Sequence, residues 1–259
     1  MTRRITATRL FPGLSVLLWA TAFSTVGMAQ TPAPAPPPQT AQLTIVHVKP
    51  DMGAAWQEYL KNDANPAVVK SGVTRRQVWT TAAFGEGGEY AIVAPITDLS
   101  QFDDPTPLFK AIGQEGQAAL MAKRQRLISD SRSMLITARP DLGVASAPGY
   151  QAKLGVSSRT IVAQGHMADF LKSTKELSAV IAKTNAKGVS VSQIGLGGNP
   201  SEFITLVLFD SFADIGNFQA AYAKAAAEAK LIPSPAGTIV NTEWRVYRYV
   251  PELSIIPPR

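Results

Sequence analysis

The chain has 259 residues, of which 46% are hydrophobic and 17% charged, with 25 basic against 19 acidic residues and no cysteine. Three of the basic residues, Arg3, Arg4 and Arg9, cluster at the N-terminus, and no basic run interleaved with aromatics occurs elsewhere, which excludes a nucleic-acid-binding surface. Without cysteine there is no disulfide framework and no thiolate metal site, so the folded part must be held by its hydrophobic cores.

The N-terminus reads as an export signal over residues 1–29. A basic segment precedes an apolar stretch from about Leu10 to Val26, and Gly27-Met28-Ala29 offers small residues for cleavage after Ala29. Pro12, Gly13, Ser15, Thr21 and Ser24 interrupt the stretch, which is short for a membrane span, so no stable membrane anchor is expected. A periplasmic or secreted location follows. Residues 30–41, containing TPAPAPPPQT, form a Pro-rich linker, because proline fixes φ and removes the backbone donor.

Residues 42–142 follow the order strand, helix, strand, strand, helix, strand. The run from Leu43 to Val48 is an apolar strand. Met52, Ala55, Trp56, Tyr59 and Leu60 then recur at helical spacing, giving one buried stripe. Ser71-Gly72-Val73 ends that helix with a glycine suited to a left-handed cap. A second strand follows, alternating Val73, Arg75, Gln77 and Trp79 on one side. The Gly85-Glu86-Gly87-Gly88 hairpin leads to a third strand beginning Glu89-Tyr90. A second helix presents Leu108, Ile112, Ala119, Leu120 and Leu127, and its basic cluster Lys123, Arg124 and Arg126 suits the negative end of the helix dipole. The acids Asp103 and Asp104 precede Pro105 and Pro107 and read as a helix entry. The half closes on Pro140-Asp141-Leu142.

Residues 143–158 are Gly-, Ala- and Ser-rich and read as a linker, and residues 159–259 then repeat the order. Arg159 to Ala163 is the strand, with Phe170, Thr174, Leu177 and Ile181 as the helical stripe. Gly188-Val189 opens a second strand. Gly197-Gly198-Asn199-Pro200-Ser201 is the hairpin, and Glu202-Phe203 starts the third strand. Phe218, Tyr222, Ala225 and Ala229 form the second helix face. The half ends on Pro251-Glu252-Leu253, the same Pro-acid-Leu pattern at the same point. Setting Val48 against Val162 places Trp56 against Phe170 without a gap. The glycines near Gly195 to Gly198 lie between two strands, whereas a dinucleotide loop needs a strand followed by a helix.

The fold class is therefore α+β: tandem ferredoxin-like β-α-β-β-α-β repeats packed sheet to sheet. A single unit would leave one sheet face in water, and two units cover each other. In element order, duplication and the two Pro-acid-Leu endings, the chain resembles the dimeric α/β-barrel superfamily, and more loosely its NIPSNAP-like and EthD-like branches. The resemblance implies an intramolecular barrel with a cavity between the sheets. It also implies a range of functions, including haem enzymes, cofactor-free monooxygenases, isomerases and proteins of unknown activity. Haem-using relatives place a ligand histidine on a later helix, and neither helix after a hairpin carries one here. No cofactor and no metal are expected, since no nucleophile elbow, H-E-x-x-H or Walker loop occurs.

The chain holds two histidines, His47 and His166. His47 points opposite to Val46 and Val48, toward a cavity or into a hydrogen-bonded core, while His166 precedes a helix at the surface. On the cavity-facing reading, His47, Arg75, Gln77 and Trp79 form the candidate ligand-binding set, with Arg75 and Gln77 orienting an anionic or carbonyl group and Trp79 stacking on it. The last strand sets Trp244 and Val246 on one side and Glu243, Arg245 and Tyr247 on the other, and alternation alone does not say which side is inward. No catalytic set is recognisable, so whether the protein is an enzyme stays open. The first functional reading is an exported barrel binding a small apolar or aromatic ligand without strong catalysis. The second is a cofactor-free monooxygenase or isomerase acting on a small aromatic or quinone-like substrate, and the third is an interaction module for another exported protein.

Overall fold

Alternation decides which residues of each strand face the helices and which face the barrel interior. A computed structural model describes residues 39–256; the signal segment and the linker before residue 39 lie outside them. Strand β1 (Thr40–Val48) leads to α1 (Gly53–Tyr59), which runs through a π turn at Leu60–Ala64 into α2 (Asn65–Lys70). Strands β2 (Gln77–Thr81) and β3 (Glu89–Ile96), helix α3 (Pro107–Leu127) and strand β4 (Ile128–Ala138) follow. The second run is β5 (Leu154–Val162), α4 (Met167–Ile181), β6 (Gly188–Ile194), β7 (Glu202–Phe209), α5 (Phe212–Glu228) and β8 (Ile239–Tyr249).

All eight strands close into one antiparallel barrel in the order β1-β3-β2-β8-β5-β7-β6-β4. The two four-stranded groups, β4-β1-β3-β2 and β8-β5-β7-β6, meet edge to edge rather than only face to face. One seam pairs Trp79 with Tyr249 and Thr81 with Tyr247. The other pairs Ile136 with Ile194 and Ala138 with Ser192. Closure removes the unpaired edges that two separate sheets would carry. A register shift occurs between His47 and Val48 where β1 meets β4, and another between Ile161 and Val162 where β5 meets β8.

Three apolar clusters result. Val46, Val48, Val78 and Tyr90 face outward onto Trp56, Tyr59 and Leu60. Val162, Val189, Val191, Phe203 and Phe209 do the same with Phe170 and Ile181. Leu43, Trp79, Ala91, Met134, Ile136, Ile194 and Tyr247 point inward and fill part of the barrel.

The Pro-acid-Leu segments are short 3-10 turns that cross to the opposite side of the barrel. Leu142 is buried with the α4 cluster, and Leu253 is buried with the α1 cluster. Ser178 Oγ donates to the Leu142 carbonyl at 2.6 Å, and Asn65 Nδ2 donates to the Leu253 carbonyl at 2.9 Å. Backbone bridges fix the crossings, Val144 with Val189 and Arg76 with Ile255. Gly143 permits the first of these, since a Cβ there would lie 2.5 Å from the Val189 carbonyl oxygen.

The structure departs from the sequence reading in four places. Thr40 and Ala41, expected in the linker, open β1, because they pair with β3 and β4. Leu154 to Ser158 is strand rather than linker, because these residues pair on both sides with β7 and β8. The expected face of α3 is broken at Gly113, whose φ of 70° interrupts the helix, and Ala119 is exposed. Arg75 precedes β2 rather than lying within it.

Candidate functional site

The inward residues of the strands enclose a cavity of about 960 Å³. Leu43, Ala91, Val93, Met134, Ile136 and Leu206 line its middle, so most of its wall is hydrocarbon. The charged lining residues other than Arg75 gather at one end, where β1 finishes and β3, β4 and β8 begin. A second chamber of about 890 Å³ adjoins the other end, walled by Gly149 to Ala152 and by Ile255 and Ile256, and it shares Arg75, Gln77 and Trp79 with the main cavity.

His47 is the centre of the charged end. Its Nδ1 lies 2.8 Å from Asp130 Oδ1, and its Nε2 lies 3.1 Å from Glu86 Oε2 and 3.2 Å from Glu89 Oε2. The hydrogen bond with Asp130, joined by that with Glu89, holds the imidazole above its ordinary pKa against the opposing effect of burial. The same bond holds the Asp130 carboxyl below the usual carboxylate range.

Glu89 is 2% exposed and is served from three directions. Besides His47, it accepts from the Tyr247 hydroxyl and faces Arg245 Nε at 3.4 Å. Burial, then the Glu89 carboxylate, drives the Tyr247 phenol pKa upward, so the hydroxyl stays protonated and donating. Arg245 also reaches Glu86 Oε1 and Glu243 Oε2, each at 3.0 Å. Burial pulls the Arg245 guanidinium down, and Glu89, Glu86, Tyr247 and Glu243 outweigh it to leave the guanidinium above its ordinary value.

The local fold explains this convergence. Gly88 takes φ +76° and sits so close to β1 that a Cβ would lie 3.0 Å from the Val48 carbonyl oxygen. Val48 N donates to the Gly88 carbonyl at 2.9 Å, which folds the β2–β3 hairpin over the end of β1 and carries Glu86 above the imidazole. His47 pairs with Glu89 across β1 and β3, and with Asp130 across β1 and β4. The matching position of the other half is different: Ile161 stands opposite Glu202, and Arg159 pairs with that carboxylate.

All four residues singled out in the sequence line the same cavity. They do not meet at one point. His47 is level with Glu89, whereas Gln77 is level with Val93, about 13 Å further along β3. Arg75 lies beyond that, at the junction of the two chambers. Trp79 stands between these levels, opposite Ala91, with its ring 5.2 Å from that of Tyr249. Of the last strand, Glu243, Arg245 and Tyr247 face inward and Trp244 is exposed. His166 is the N-cap residue of α4, with Nδ1 3.4 Å from Asp169 Oδ2.

The sequence reading missed Asp130, Glu86 and Glu89 as site residues. Glu89 had a signal: an acid opens the strand after the hairpin in both halves, where an inward-facing carboxylate needs a partner. Asp130 had none, because no motif marks it and only the β1–β4 register brings it opposite His47. Neither α3 nor α5 carries a histidine, so the residues present do not fit the haem arrangement that the barrel resemblance implies.

No protein-family model and no curated protein matches the chain. Solved structures do match. A candidate monooxygenase from Lactobacillus acidophilus NCFM superposes with TM-score 0.54 at 7% identity, over 82% of this chain and 94% of that one. An anthrone oxidase-like protein gives 0.52 at 11% identity, over 82% of this chain and 91% of that one. A chlorite dismutase variant from Candidatus Nitrospira defluvii gives 0.54 at 10% identity, over 83% and 92% of the two chains. At such identities the likeness shows the fold, an α+β arrangement around a closed eight-stranded antiparallel barrel, and nothing of the chemistry.

Proposed function

We propose that the barrel binds one small, largely apolar or aromatic molecule in its interior, with an oxygen-bearing end directed at the His47–Glu89 group. The observation that carries this reading is the division of the cavity: a mainly hydrocarbon middle, broken by Ser157 and Ser190 beside Leu206, with the charged groups at its ends. Trp79 supplies the aromatic wall, and Arg75 and Gln77 meet whatever polar group reaches the junction with the second chamber. We further propose that the chain is an internal duplication, supported by the paired register shifts and the paired Pro-acid-Leu crossings, and akin to the NIPSNAP-like and EthD-like branches. Export is part of the proposal and rests on the leader sequence; N-terminal sequencing of the protein recovered from the exported fraction is expected to begin at Gln30, and an intact N-terminus there would overturn it.

The test uses 2-naphthol and anthrone as probes, followed by tryptophan fluorescence and calorimetry. A saturable response at one probe per chain is expected, with most of the quenching lost in Trp79→Phe. Ile136→Trp, which fills the middle of the cavity, is expected to weaken binding by at least about tenfold, equivalent to ~1.4 kcal/mol. Unsaturable binding, or binding untouched by Ile136→Trp in a folded variant, would refute the reading.

A specific observation also favours a second reading, a cofactor-free monooxygenase or isomerase. His47 is oriented by Asp130 on one side and lines the cavity with its other nitrogen among the Glu86 and Glu89 carboxylates, which is the geometry of a positioned proton donor. The fold is shared with proteins described as monooxygenases and as anthrone oxidase-like, which supports it only at the level of architecture. Oxygen uptake with anthrone under air separates the monooxygenase from the binding reading, which predicts none above the buffer rate, and recovery of the probe unchanged excludes isomerisation of it.

A further inference from the structure

We propose that His47 Nε2, Glu86 and Glu89 form a site for one divalent transition-metal ion at the charged end of the cavity, with Asp130 as the residue that orients the imidazole. The inference adds a ligand to the chamber read above, and it does not need that chamber's small molecule for its test.

The donor count comes first. An ionised carboxylate only accepts, so the ring nitrogen facing Asp130 is the donor, and that fixes Nδ1 as N–H. Nε2 then faces two further carboxylate oxygens, at 3.1 and 3.2 Å, and a single N–H cannot serve both well. A cation seated among the three atoms serves all of them.

The spacing agrees. Atoms held at about 2.0–2.2 Å from one ion, at tetrahedral or octahedral angles, stand roughly 3.0–3.5 Å from each other. The two measured separations from Nε2 fall in that range, and the three ligand atoms all lie within 4.8 Å of one another. Asp130 on Nδ1 is the outer carboxylate that metal-bound histidines commonly have behind them, fixing the tautomer and ring plane.

Charge points the same way. The carboxylates of Glu86, Glu89, Asp130 and Glu243 converge here, and Arg245 is the guanidinium paired with them. Arg159 is engaged by Glu202, and Arg132 donates to the neutral Gly197 carbonyl and keeps its charge, so the four carboxylates still outnumber the two guanidinium charges of Arg245 and Arg132. The other half neutralises its corresponding buried carboxylate, Glu202, with the permanent charge of Arg159. The first half places an imidazole there instead, a group that exchanges a proton for a metal. One nitrogen and two carboxylate donors suit zinc, manganese or ferrous iron rather than calcium, and three protein ligands leave coordination positions open to the cavity.

The experiment titrates the chelator-stripped full-length protein with Zn²⁺ by calorimetry and with Co²⁺ by visible absorption. One saturable ion per chain is expected, with d–d bands for cobalt. Glu86→Gln and His47→Ala are each expected to weaken binding by at least about 100-fold, and Asp130→Asn by roughly 10- to 100-fold with the stoichiometry kept. Glu243→Gln, which removes a neighbouring carboxylate that is not a ligand, is expected to keep the one-ion stoichiometry and to weaken binding far less than Glu86→Gln. Each variant is checked for an intact unfolding transition; the Glu86 side chain is 59% exposed, so Glu86→Gln decides the matter if His47→Ala does not fold. Absence of a saturable site in the wild type, or an unchanged affinity in folded Glu86→Gln, would overturn the site. Naphthol binding to the stripped protein reports on the chamber separately, so the two proposals fail independently.

Discussion

Truncating Leu253 to alanine is expected to destabilise the protein by about 2–5 kcal/mol, the range for deleting most of a buried leucine and leaving a cavity. Leu253 is 2% exposed and packs with Trp56, Tyr59 and Leu60, residues far from it in the chain. Leu142→Ala is expected to cost a similar amount, since Leu142 is 3% exposed beside Phe170, Phe203 and Phe209. The consequence of interest is where the loss is felt. Each leucine belongs to one run of strands and completes the core under the helix of the other, while the seams at β2–β8 and β4–β6 close the ring. Neither half has a complete core by itself. Both variants should therefore keep a single urea unfolding transition, shifted to lower midpoint with unchanged slope. The double variant should show nearly the sum of the single effects, because the two sites are distant and share no partner. Two resolved transitions in either variant would show that the halves unfold separately and that the crossings are not what couples them.

Much of this architecture could be read from residue order, and particular residues show why. Trp56 and Phe170 recur at equivalent points because each fills the space between a helix and the outer face of a sheet, a requirement local enough to leave a periodic trace. The Pro-acid-Leu endings were visible as well, but their destination was not: a leucine that crosses to the opposite core looks the same in sequence as one that packs at home. Closure of the barrel was equally hidden, since the pairing of Trp79 with Tyr249 joins residues with no local pattern to link them.

The site was legible only in part, for a related reason. Strand alternation identified His47, Arg75, Gln77 and Trp79 as candidates for one face, and β-register then spreads them along the cavity. Asp130 and Glu89 reach His47 through pairing across β1–β4 and β1–β3, and Glu86 through the turn held by Gly88. Cross-strand neighbours are set by register, which a single sequence with two possible inward faces does not specify. The charged end of the barrel is therefore a tertiary product, assembled from the ends of several strands.

Replacing Glu89 by leucine is expected to destabilise the fold by about 3–5 kcal/mol, because it removes the acceptor from a buried charged network and leaves the donors in place. The Tyr247 hydroxyl, Arg245 Nε and His47 Nε2 all face this one carboxylate. Glu86 and Glu243 hold two other nitrogens of Arg245, so the guanidinium stays partly compensated, but Tyr247 is 8% exposed and its hydroxyl gains no substitute. Tyr247→Phe, which removes one donor and leaves Glu89 with two, is expected to cost less, about 1.5–3 kcal/mol for a hydrogen bond to a charged group. The decisive comparison is the double variant. If the network is one unit, Glu89→Leu combined with Tyr247→Phe should be less destabilised than the sum of the two, because the second substitution removes the hydroxyl that the first left unpaired. Urea midpoints for the wild type, the two single variants and the double variant measure that coupling. A simple sum would mean that Tyr247 and Glu89 act separately, and the charged end of the cavity would then be a set of independent pairs rather than a connected network.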